Sequence, residues 1–146
     1  MRIIADAGIL VQGSAKASGP AREVLVQIKR GQHTLILSPF LLEEIRHVMR
    51  YPRMQKLFAL TEAEIDSYIQ FLREAAELVD PVVRTPVILA DPTDDPVIYT
   101  AVDGRADVLC AMDRDFCAPA VLAFCRQRSI EVMNDVELLQ KLRAAV

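Results

Sequence analysis

Apolar residues along this chain follow two rhythms. Short unbroken runs occur at Ile3-Ile4-Ala5, within 33–37 (HTLIL), within 107–112 (DVLCAM) and at 130–133. Such runs predict short strands buried on both faces, as in a parallel sheet. Between them the apolar positions recur at helical spacing. Val24, Leu25 and Ile28 predict a helix over 21–30, closed by Gly31. Ser38-Pro39 opens the next helix, with Ser at the cap and Pro in the first turn. Thr61-x-x-Glu64 is a capping box that starts a helix predicted to run through about residue 78, with Ile65, Tyr68, Ile69 and Leu72 on one face. Shorter helices are expected at 8–12 and 53–58, the latter forming a helical hairpin with its successor. The segments 79–83 and 87–89 are apolar and β-branched between prolines, and fit one short strand or an extended loop. Further helices are expected at 96–104, 119–128 and from 135, the last capped by Asn134-x-x-Glu137. This alternation is that of an α/β sandwich built on a parallel sheet.

Composition narrows the class. The 146 residues suit one domain spanning 1–146. An apolar share of 52% and a mean hydropathy of +0.22 are enough to fill a core. Net charge is −3, which argues against a protein that coats nucleic acid by bulk positive charge. It leaves room for an enzyme that acts on nucleic acid through bound cations. Arginine supplies 13 of the 17 basic residues and suits bidentate phosphate contact. Cys110, Cys117 and Cys125 have no CxxC spacing and read as reduced thiols. Arg2 leads into only three apolar residues before Asp6, unlike a secretory leader. No apolar stretch approaches the roughly 20 residues of a membrane span. A cytoplasmic protein is the expectation.

The candidate chemistry lies in acids. Asp6 and Asp113 each end an apolar run, so each is expected at the carboxyl end of a strand, where open α/β sheets bind ligands. Glu44 follows from periodicity. Leu41, Leu42, Ile45, Val48 and Met49 span about 120° of helical arc, and Glu44 falls about 40° outside it while Glu43 points nearly opposite. Glu44 is therefore the one able to reach an interior cleft. Asp94 lies in the turn DPTDDP (91–96), where Asp95 before Pro96 reads as a helix cap and leaves Asp94 freer. Asp115 follows Asp113 closely and is a weaker candidate, since it also suits the start of a turn. Carboxylates a few ångströms apart repel by about 3–4 kcal/mol per pair at an effective dielectric near 20. Gathered acids therefore point to a hard divalent cation, Mg2+ or Mn2+. Asp91, Asp103 and Asp107 read as solvated, and His33 and His47 as structural or exposed. Arg46, Arg50 and Arg53 form a basic stretch near Glu44, most simply a solvated helix face.

With these residues placed, the chain resembles the PIN-domain family, in particular bacterial PIN proteins described as toxin components of toxin–antitoxin systems. The resemblance covers nearly the whole chain. It rests on MRIIADAGILVQG for the first acid, SPFLLEEIRHVMRYPRM for Glu44, DPTDDPVIYTAV for Asp94 and ADVLCAMDRDF for Asp113. It implies a three-layer α/β/α sandwich with a mainly parallel sheet of four to five strands and a helical hairpin insertion. It also implies a metal-dependent endoribonuclease, with Asp6, Glu44, Asp94 and Asp113 catalytic and Asp6, Asp94, Asp113, Glu44 and Asp115 as candidate ligands of Mg2+ or Mn2+. An RNA substrate, a cognate antitoxin protein and a homodimer are the implied partners, with no membrane.

The chain departs from the family pattern twice. Gly8 stands where Asn or a similar residue is usual, and Ala111 where Thr or Ser is usual. Losing such supporting groups can cost about 10–100-fold in metal affinity or activity. A PIN-like binding module with weakened catalysis is therefore the alternative reading. A phospho-acceptor receiver domain also gathers acids at strand ends, but it needs a late lysine, and this chain has none between Lys56 and Lys141.

Overall fold

The computed structural model describes residues 1–14, 18–82 and 95–144. Five strands form one sheet: β1 (Arg2–Ala5), β2 (Thr34–Leu37), β3 (Ala76–Leu78), β4 (Val108–Cys110) and β5 (Glu131–Met133). Their spatial order is β3-β2-β1-β4-β5, and every pairing is parallel. Ile3, Ile4, Ile36, Leu37, Leu109 and Cys110 are entirely buried. That explains why the central strands read as unbroken apolar runs: a parallel sheet covered on both faces has no polar side to alternate with.

Helices α1 (Ala7–Gln12), α2 (Pro20–Arg30), α3 (Pro39–Met49), α4 (Pro52–Phe58), α5 (Glu62–Ala75), α6 (Asp95–Asp103), α7 (Pro119–Arg126) and α8 (Asp135–Ala144) flank the sheet as an α/β/α sandwich. The predicted caps are present. Ser38 accepts from the Leu41 N–H at 3.2 Å. Both halves of the Thr61/Glu64 and Asn134/Glu137 capping boxes form. Helix α2 packs on α8, and α3 packs on α1 and α5. Buried Tyr68 of α5 donates its hydroxyl to the Leu10 carbonyl at 2.5 Å, tying the α4–α5 hairpin to the end of α1. Exposed pairs of Arg46 with Asp66 and of Arg50 with Glu62 join α3 to α5. The basic stretch near Glu44 is thus partly engaged in helix packing, and such exposed pairs contribute only about 0–1 kcal/mol each.

Two boundaries differ from expectation. The helix predicted through about residue 78 ends at Ala75, and Ala76–Leu78 pairs with β2 as an edge strand. Helical spacing continued past the end because Ala76, Glu77 and Leu78 carry no breaker; pairing with β2 decided the matter. Residues 79–82 of the expected strand lie outside it, and 83 and 87–89 lie outside the described residues. Asp95 begins α6 rather than preceding it, and is 2% exposed.

Other expected surface groups have local structural partners. The Asp107 carboxylate accepts from the Arg2 N–H at 2.8 Å, and Asp103 accepts from the Val82 N–H at 2.8 Å. His33 Nδ1 meets the amino terminus at 3.0 Å. Cys110 and Cys125 are buried and burial pushes both thiols up, so neither is poised as a thiolate; Cys117 is exposed. Among the described residues no helix is long and apolar enough to cross a membrane.

Gly104 marks a close approach between the end of α6 and β2. A Cβ there would lie 2.7 Å from Ile36 Cγ2 and 2.8 Å from the Thr100 carbonyl oxygen. One contact is to backbone and the other to a fully buried side chain, so neither yields readily. Gly104→Ala is expected to destabilise the protein by about 1–3 kcal/mol. Urea denaturation measures this, and an unchanged midpoint would show that the α6–β2 contact relaxes freely.

Candidate active site

The strand order places the site. The chain runs β1 to β2 to β3 in one direction, then crosses back so that β4 lies on the other side of β1. The switch point therefore falls between β1 and β4, where the connections leave in opposite directions and open a crevice at the carboxyl edge. Asp6 follows β1 directly and Asp113 lies three residues past Cys110, the last residue of β4. Ala5 is in register with Cys110, and the Asp6 N–H donates to the Cys110 carbonyl at 3.0 Å.

Asp6 caps α1, accepting from the Ile9 N–H at 2.9 Å, and it is 8% exposed. Burial raises its pKa from the ordinary carboxylate value to about 6. The N–H groups of Ile9 and Met112 oppose that shift, and the neighbouring Asp113 charge adds to it. A buried carboxylate beside a second carboxylate is an unfavourable arrangement unless something positive relieves it.

A cavity of about 300 Å³ opens over this edge, lined by Asp6, Glu44 and Asp113 together with Gly8, Gln12, Phe40, Val97, Met112 and Phe116. Glu44 is half-buried while Glu43 is exposed, as helical periodicity requires. Three of the four sequence-predicted acids thus meet in one cavity. The fourth, Asp94, lies outside the described residues, although Val97 brings the first turn of α6 to the lining. Asp115 does not line the cavity; its N–H donates to Asp113 Oδ1 at 2.9 Å and starts the short 3₁₀ turn Arg114–Cys117. Phe40, Gln12 and Phe116 also line it and escaped the sequence reading. Phe40 had a signal, since it stands one helical turn before Glu44 on the same face of α3. A second cavity, of about 470 Å³, lies between α2 and α5 and includes a single carboxylate, Glu64, so it has no comparable acid cluster.

The acids at the carboxyl edge offer carboxylate oxygens, the chemistry that suits a hard divalent cation. Among the described residues no three His, Cys, Asp or Glu side chains stand close enough to hold an ion together. The buried, charge-strained Asp6 beside Asp113 nevertheless fits a cation: one there would offset both the desolvation and the repulsion.

Fold and cavity together define an α/β domain with an acidic cleft at the switch point of a parallel sheet. The chain belongs to the PIN-domain family, whose family model, described as PIN domain, matches residues 2–115. PIN domains are typically nucleases that use divalent metal ions. No curated protein matches the chain.

Proposed function

We propose that this protein is a metal-dependent endoribonuclease that hydrolyses RNA phosphodiester bonds, acting as a single 1–146 domain and as the toxin of a toxin–antitoxin pair in the cytoplasm. The observation that carries the nuclease reading is the meeting of Asp6, Glu44 and Asp113 in one cavity at the sheet switch point of a PIN-family chain. Asp6 and Asp113, with Asp94 from the segment before α6, hold Mg2+ or Mn2+; Glu44, and Asp115 through water, complete the set. A bound divalent cation supplies Lewis acidity toward the phosphoryl oxygens and activation of the attacking water. The chain supplies placement. The Ile9 N–H fixes the Asp6 carboxylate, the Asp115 N–H fixes that of Asp113, and α3 holds Glu44 toward the cleft. Metal-activated water is the nucleophile of this reading, which calls on no side-chain nucleophile. A cognate antitoxin and a second copy of the chain are the expected protein partners, with the α4–α5 hairpin as the surface on offer.

Incubating purified protein with RNA tests the reading. Cleavage should require Mg2+ or Mn2+, stop with EDTA and disappear in Asp94→Asn. Cleavage that survives EDTA would exclude it. Growth arrest on expression, absent in the same variant, tests the toxin role.

Gly8 and Ala111 favour a second reading, a PIN-like module with weakened catalysis that acts through protein or RNA partners. Among the described residues, a Cβ at Gly8 would meet only Asp6 Oδ1, at an ordinary 3.6 Å. Space therefore exists for an amide that donates to this carboxylate. Gly8→Asn is expected to raise cleavage about 10-fold. A wild type and a Gly8→Asn protein that both bind RNA without cutting it would support the binding module instead.

A further inference from the structure

The cavity is lined by buried Asp6, half-buried Glu44 and exposed Asp113, and exposed apolar side chains stand at its lips. Phe40 is 43% exposed and Met112 is 47% exposed, and both line it. Scattered exposed apolar residues are ordinary on any surface. These two are not scattered. The other large exposed apolar side chains described, Tyr51, Leu57, Leu78, Val82 and Val136, do not line the cavity. Phe40 and Glu44 stand one turn apart on α3, and Met112 immediately precedes Asp113. Each apolar lip is thus tied in sequence to one of the acids.

We infer that Phe40 is the base-stacking residue of this site, with Met112 as a second apolar contact, so that a nucleobase of the substrate stacks on the ring while its phosphate lies over the carboxylates. The inference rests on the nuclease reading and adds to it the side chain that positions the substrate. A nucleobase has an apolar face about as wide as a phenyl ring, and stacking withdraws both from water without demanding a particular base. A thioether is soft and adapts to whichever base enters. The carboxylates and their cation act on the phosphate, which leaves the base to other side chains of the cavity, and Phe40 has the largest flat apolar face exposed among those described. Bases inside a duplex present no free face, so the substrate must offer an unstacked nucleotide.

The protein contains no tryptophan, which gives a clean reporter. Phe40→Trp in an Asp6→Asn background, with Mg2+ present, is titrated with oligoadenylate. Saturable quenching of the indole emission is expected, with little quenching by a duplex of matched length. In the Asp6-intact enzyme, Phe40→Ala should raise KM for single-stranded RNA about 5- to 100-fold. Its kcat should stay within about twofold, and Phe40→Tyr should restore KM. Thermal melting checks that each variant is folded. An unchanged KM in Phe40→Ala, emission that ignores an RNA the enzyme cuts, or equal quenching by duplex would each overturn the inference and leave the nuclease reading intact. Quenching by single-stranded RNA from a protein that never cleaves would support the platform and count against the nuclease reading instead.

Discussion

Asp6→Asn is expected to lower RNA cleavage by at least about 100-fold and, in the same protein, to raise stability when divalent ions are absent. The activity loss is set by position. Removing groups that merely support a metal ligand costs about 10–100-fold. Asp6 is proposed as a ligand itself, so its loss should reach or exceed the upper end. The stability gain is set by burial. Asp6 is nearly enclosed, and its pKa of about 6 lies above the ordinary value of 3.8. Between these values the folded protein keeps a proton that the unfolded chain has released. Stability therefore falls as pH rises through that window, and the contribution levels off above about pH 6 at a loss of about 3 kcal/mol. Asparagine carries no charge to desolvate, and its side-chain oxygen can still accept from the Ile9 N–H, because Asn caps helices as well as Asp does. Denaturation in EDTA should thus show a wild type that weakens between pH 4 and 6 and an Asp6→Asn variant that lacks this component. Mn2+ should stabilise the former more than the latter. A variant that melts below wild type at pH 7.5 in EDTA, or cuts RNA at the wild-type rate, contradicts the assignment.

Phe116→Ala carries the largest expected cost in stability, about 3–5 kcal/mol. The ring is 1% exposed and is the largest of the fully buried side chains. It also lines the acid cavity, and its N–H donates to the Asp113 carbonyl at 3.2 Å. Truncation leaves a void beneath the turn that carries Asp113, so cleavage should fall along with stability. For a chain of this length the melting temperature should drop by on the order of 10 °C. Phe116→Leu, which keeps most of the volume, should lose less than half as much. Calorimetry with a parallel cleavage assay checks both effects. A Phe116→Ala protein that melts like wild type would mean that the 3₁₀ turn repacks without the ring.

The two outcomes on Asp6, lost activity with gained stability, share one origin. A carboxylate placed to meet a cation is unfavourable until the cation arrives, and function keeps it there against the folding free energy.

Glu44 was separable from Glu43 because an α-helix turns 100° per residue, which puts neighbouring side chains on different faces; one is half-buried at the cavity and the other exposed. Asp6 and Asp113 were legible because each stops an apolar run, and a charge at the end of a buried strand must lie at the sheet edge. Ala76–Leu78 was illegible as a strand for the converse reason. An edge strand of three residues has little pattern of its own, and it forms because β2 offers unpaired backbone groups beside it.

Local rules acting along the chain therefore determined the caps, the buried strands, the helix faces and the types of residue available for chemistry. Distances between those residues required the tertiary structure. No spacing in the chain says that β4 returns to the far side of β1, and that crossing alone brings the Asp113 charge against buried Asp6, 107 positions earlier. Nor does any spacing say that Phe40 remains in water at the cavity mouth while Phe116 is sealed beneath it. Both are apolar residues of one kind, and only the packing of the other elements distinguishes a lip from a floor.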